Sequence, residues 1–173
     1  MEYSLNKSFE ILERTPTVLR TLLSDLSDDW TMNNEGGETW SPYDVIGHLI
    51  HGEKTDWMQR IALILDTQSD HKFKTFDRFA QFEESKGKTL DQLLGEFAQV
   101  RKANLEKFRA LNLTEGQLNL PGIHPSFGKV RLKNLLATWV AHDLDHIQQI
   151  VRVMAKQYKE EVGPWVAYLR ILK

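Results

Sequence analysis

Apolar residues along the chain recur at intervals of three and four, the period of helices that bury one face. Residues 4–26 carry Leu5, Phe9, Leu12, Leu19, Leu22 and Leu23 in this pattern, and Pro16 predicts a kink or a division into two segments. Residues 27–39 are polar, contain Asn33, Asn34, Gly36 and Gly37, and read as a loop. A second helix opens on Ser41 as cap, with Pro42 in the first helical position and Asp44 in the first turn, and runs to about residue 65. The stretch 66–88 is irregular. Its Phe73, Phe76, Phe79 and Phe82 are expected mainly to pack a crossover connection onto the bundle, the alternative being that some line the mouth of a site.

Thr89 and Gln92 form a capping-box signature that opens a third helix, extending to about residue 111. Residues 112–129 hold Pro121, Gly122, Pro125 and Gly128 and are expected to form a loop. No strand alternation or hairpin signal is evident. A fourth helix spans 130–157. Gly163-Pro164 punctuates the chain, and 165–172 suits a short packing helix. The expected fold is all-α: one domain over residues 1–173, a four-helix bundle with one long connection and a short C-terminal helix.

The fourth helix carries the chemistry. Its buried seam reads Leu132, Leu135, Trp139, His142, His146, Ile150 and Val153, with two imidazoles where the pattern asks for aliphatic side chains. A polar group buried without a partner costs on the order of 1–3 kcal/mol. Histidines four apart point the same way, so both can reach one ion. On this helix alone, a pair of satisfied core histidines is the alternative. His48 sits among Val45, Ile46, Leu49 and Ile50 on the second helix, with Gly52 leaving space one turn on. Three inward histidines on two helices match three protein ligands plus an open position, the arrangement of catalytic zinc sites. Comparison of the segment 142–146 with the His-Glu-x-x-His zinc peptidases is poor, because Asp143 replaces the glutamate base.

Composition narrows the rest. With 41% hydrophobic and 27% charged residues the chain is ordinary for a globular protein, and its net charge of −2 makes no case for nucleic acid or an anionic membrane. No apolar run approaches the roughly 20 residues of a membrane helix, and the N-terminus lacks the features of a secretory signal, so a cytoplasmic location is expected. The absence of cysteine removes disulfides, cysteine–zinc sites and a cysteine nucleophile. Any thiol chemistry would use a thiol brought by a substrate. His51, one turn from His48, and His124, on the loop before the fourth helix, are candidates to shuttle a proton, against the plainer reading that both lie at the surface. Asp44 and Asp145 are candidates to orient ligand imidazoles, against roles as a helix-start charge and a solvated charge.

Taken together, Trp40-Ser-Pro-Tyr-Asp-Val-Ile-Gly-His48-Leu and His142-Asp-Leu-Asp-His146-Ile-Gln-Gln-Ile150 resemble the second-helix and last-helix motifs of the DinB-like superfamily, which includes the YfiT-like metal-dependent hydrolases. His124-Pro-Ser-Phe-Gly128 and Phe97-Ala-Gln-Val-Arg101 are similar to its intervening segments. The resemblance spans about residues 9–154. It implies an up-down-down-up four-helix bundle with nickel or zinc held by His48, His142 and His146, and often a homodimer. It also implies activity on a small molecule, as a hydrolase or as a transferase using a low-molecular-weight thiol such as bacillithiol. The alternative is a non-catalytic stress-related or interaction protein with a structural or vestigial metal site.

Overall fold

In a computed structural model, which describes residues 2–173, the first helical stretch forms two segments, α1 (Leu5–Leu12) and α2 (Thr15–Leu23). Pro16 lies in the first turn of α2, where its missing N–H costs nothing. A short α3 (Asp28–Thr31) follows. The second long stretch is also divided, into α4 (Pro42–Thr55) and α5 (Trp57–Leu65). The periodicity predicts one helix there. The break falls at Asp56 (φ −118°, ψ −72°), next to Thr55, whose hydroxyl donates to the His51 carbonyl at 2.7 Å. Such back-bonding bends helices without proline or glycine.

The crossover holds one short helix, α6 (Ala80–Ser85). It rests closely on α4 at Gly47, where a Cβ would strike the Ser85 hydroxyl and force that side chain to move. The third and fourth bundle helices are α7 (Leu90–Ala110) and α9 (Leu132–Lys156), separated by α8 (Glu115–Leu118) and a hairpin. Capping boxes on Ser41, Thr89 and Thr114 open α4, α7 and α8 by pairing the first backbone donors.

Helix order follows from end-to-end contacts. Tyr43, at the start of α4, donates its hydroxyl to the carbonyls of Ser85 and Lys88 beside the start of α7, so α4–α5 and α7 run parallel. Arg20 near the end of α2 pairs with Asp91 at the start of α7, and Glu35 just before α4 pairs with Arg152 near the end of α9. The outer helices therefore run against the inner two: up, down, down, up. Two apolar clusters fill the bundle. One surrounds Leu12, Ile61, Phe108 and Trp139; the other surrounds Leu19, Ile46, Leu93 and Ile150. Among the described residues no helix is long and apolar enough to cross a membrane.

The expected loop at 112–129 and the absence of strands are corrected. β1 (Pro121–His124) and β2 (Gly128–Arg131) pair antiparallel, and Gly128 closes the turn at φ 66°. Each strand has four residues with few apolar positions, too short for alternation to register. The hairpin is held by tertiary contact: Phe73 N–H donates to the Ile123 carbonyl, and a Cβ at Gly122 would strike the Phe73 ring. Phe73 is thus core packing, whereas Phe79 and Phe82 are exposed. The C-terminal helix is replaced by two 3₁₀ turns, Gly163–Ala167 and Arg170–Leu172, that bury Leu172.

Candidate metal centre

His48 on α4 and His142 and His146 on α9 meet in the bundle. The Nε2 atoms of His48 and His142 lie 3.2 Å apart and those of His142 and His146 3.1 Å apart. Ligand nitrogens sharing one tetrahedral ion at about 2.0–2.1 Å would lie about 3.3 Å apart. Among the described residues this is the group of three whose ligand atoms converge closely enough to hold one metal ion.

Three imidazoles cannot satisfy one another in this arrangement. His142 Nε2 faces both other Nε2 atoms, and it can either donate one proton or accept along one lone-pair direction. A cation would take all three lone pairs at once. The rings are available for that role, because burial holds their protonation well below the ordinary value of 6.5. His48 is lowered to about 3 by burial and then by the neighbouring His146, His51 and Arg78. His142 is lowered to about 2 by burial and then by His146, His48 and Arg101. His146 is also lowered by burial, against the pull of Gln149, Asp145 and Asp143. With Nε2 directed at an ion, His146 would donate its Nδ1–H to Gln149 Oε1, which lies at 2.8 Å. The Nδ1 atoms of His48 and His142 are buried and meet no protein partner.

Behind α9 lies a sealed ionic network. Arg101 on α7 grips Asp143 with two bonds of 2.6 and 2.8 Å and reaches Glu53 on α4 at 3.0 Å. Glu53 also accepts from Trp139 at 2.9 Å and Asn104 at 2.9 Å. Burial pushes the Glu53 carboxyl up, yet every contact it makes is with a donor, the pattern of an ionised carboxylate. Burial alone would weaken the Arg101 cation, and Asp143 and Glu53 outweigh it and hold the guanidinium charged. Asp143 is thus spoken for by Arg101 rather than serving as a base.

The trio opens into a cavity of about 410 Å³. Trp40 and Phe76 pack on His48 at centroid distances of 4.8 and 5.4 Å, and Trp57 packs edge-on to His142 at 5.2 Å. Asp56, Arg60, Arg78, Gly52 and His124 complete the wall. Gly52 borders the open space as its position suggests. His124 reaches this cavity from β1. Its Nδ1 accepts the N–H groups of Ser126 and Phe127 at 3.1 and 3.3 Å, which places the proton on Nε2. Burial and then Arg60 lower its pKa.

His51 does not share this space. It is 5% exposed, so it is not a surface residue either, and it lines a neighbouring cavity of about 380 Å³ with Nδ1 3.0 Å from Glu84. Asp44 completes the α4 capping box and Asp145 is exposed, and neither bonds a ligand imidazole. Gln149 and the Arg101 network escaped the sequence reading. Glu53 shares a seam with Ile46, Leu49 and Ile50, and Arg101 with Leu94, Phe97, Leu105 and Phe108, so both charges in apolar seams carried the same signal as the histidines.

The model describing the DinB superfamily matches residues 11–150, a span that includes all three histidines. The chain belongs to the DinB superfamily. Among solved structures, YfiT from Bacillus subtilis, described as a probable metal-dependent hydrolase with an unusual four-helix bundle topology, superposes with a TM-score of 0.72 at 19% identity. The match covers 91% of this chain and 87% of YfiT, and at that identity it establishes the shared DinB fold. No curated protein matches the chain.

Proposed function

We propose that this DinB-superfamily chain is a metal-dependent enzyme acting on a small molecule, with one divalent ion, nickel or zinc, held by Nε2 of His48, His142 and His146. The observation that carries this reading is the convergence of three neutral imidazoles on the floor of an open cavity. Three protein ligands leave a coordination position free, and a bound metal would supply Lewis acidity there, acidifying a water or a thiol. The chain's own residues would do the rest. Trp40, Trp57 and Phe76 would restrict water and give the substrate an apolar, aromatic wall. His124, with its proton on Nε2, can donate at the cavity wall. Both reaction types expected from the sequence fit: hydrolysis, and transfer of a low-molecular-weight thiol to an electrophile. An assay pairing small thiols with a generic electrophile, beside one for ester and amide cleavage, separates them.

The competing reading is a structural metal in a non-catalytic protein, which predicts unfolding on chelation. The two apolar clusters close without any ion, so chelated protein is expected to stay folded while losing activity. Elemental analysis should give one metal per chain, and His142→Ala should lose most of it. Undiminished metal in that variant, or collapse of the helical signal on chelation, overturns the assignment.

A further inference from the structure

The polar wall of the metal cavity is cationic although the chain as a whole carries a net charge of −2. Two guanidinium groups line it. The charge of Arg60 is balanced, since its Nε lies 2.7 Å from Asp56 and both side chains are largely buried. Arg78 has no such partner. It is exposed at the mouth, and among the described residues no carboxylate comes within ion-pair distance of it, neither Asp77 beside it in sequence nor Glu38 on the adjoining rim. His124, which also lines the cavity, carries its proton on Nε2 and is a donor as well. Asp56, the carboxylate of the wall, is already committed to Arg60. The remaining surface is aromatic: Trp40, Trp57 and Phe76.

A guanidinium with free donors presents a planar fork that matches the two oxygens of a carboxylate or phosphate. Flat apolar walls beside a few placed polar groups are the usual make-up of a small-molecule site, and the volume suits a compact ligand. We propose that the cavity selects a small organic anion, its carboxylate or phosphate held by Arg78 at the mouth and its apolar body laid between Trp40 and Phe76. Arg78 is then a specificity-determining residue. The proposal rests on the metal-site reading only for direction: the anionic end anchors at the mouth, so the opposite end of the ligand faces the histidines.

Trp40 and Trp57 border the cavity, so intrinsic fluorescence reports occupancy. The full chain, zinc-loaded and metal-free, is titrated with phenylacetate, phenyl phosphate and the neutral phenylacetamide. At least one anion is expected to bind about tenfold more tightly than the amide, more weakly as salt rises, and with the preference surviving removal of zinc. Whichever anion binds more tightly distinguishes carboxylate from phosphate. Arg78→Gln should weaken that anion about five- to tenfold while leaving the amide and the zinc content unchanged. The proposal is overturned if the amide binds as well as both anions, if neither anion binds below about 10 mM, or if Arg78→Gln leaves anion affinity intact. Anion binding that vanishes with zinc overturns it too, since the metal would then be the anchor. Zinc content is measured on the same samples, so a chain that prefers anions but holds no zinc sinks the metal reading alone.

Discussion

Gln149 orients one ring of the trio, that of His146. Among the described residues its Oε1 is the protein acceptor on the outer nitrogen of a candidate ligand, His146, at 2.8 Å. An outer acceptor fixes the ring and makes the inner nitrogen a better donor to metal, and its loss typically costs 10–100-fold in affinity. Gln149→Leu is therefore expected to weaken metal binding about 10-fold or more, measured by competition with a chromophoric chelator, with the helical circular dichroism unchanged. Gln149 is half-buried at the edge of the bundle, which is why its removal should leave packing intact.

Between elements, the Arg101 network binds α7 to α4 through Glu53 and to α9 through Asp143. Asp143 lies beside His142 in sequence, so the same bonds that join the helices set the rotation of α9 and hence where its two histidines point. All three side chains are sealed from solvent, with Arg101 1% and Glu53 and Asp143 0% exposed. Arg101→Met keeps the volume and leaves two carboxylates buried without their cation. Breaking a buried pair from one side costs about 3–5 kcal/mol, so urea unfolding should show a loss of that order. An unchanged midpoint would mean that Trp139 and Asn104 suffice to hold Glu53 and that α9 is positioned by apolar packing alone.

Across the whole molecule, protons and stability are linked through the buried trio. The ordinary histidine value is 6.5; in the folded chain burial lowers His48 to about 3 and His142 to about 2. Below 6.5 the unfolded chain binds protons that the folded chain refuses, so this contribution to stability is complete above 6.5 and is lost as pH falls toward the folded values. Asp56 opposes it. Burial raises its carboxyl from 3.8 to about 6, so between those values the folded chain binds the extra proton and the slope is shallower. Glu53, whose carboxyl burial also raises, acts in the same direction as Asp56; the three histidines outnumber the two carboxylates, and the Tm of metal-free protein is expected to fall from pH 7 to pH 4 in a series of thermal melts. Metal-loaded protein should fall more steeply, because protons compete for the same nitrogens. A Tm that rises over that range would contradict the buried, neutral state of the trio.

Hydrophobic period, caps and prolines are local properties, and they sufficed for the four long helices, the division at Pro16, and the faces on which His48, His142 and His146 lie. A seam states which side of a helix is buried, so imidazoles in a seam were legible as groups in need of a partner. The partner itself is a matter of packing. That His48 Nε2 comes to 3.2 Å from His142, that His51 three residues on turns instead to Glu84, and that Asp143 is consumed by Arg101 all depend on helix rotation and spacing, which no single-helix pattern encodes. The hairpin and the exposed mouth at Arg78 likewise arise from contacts between segments far apart in the chain, whereas the break at Asp56 is local, beside the back-bond of Thr55, and the apolar period runs through it unchanged. The sequence by itself determined a helical bundle with buried histidines; only the tertiary structure decided which nitrogens converge and that the space above them is walled by aromatic rings and arginine, because convergence is a property of distances between elements rather than of order along one.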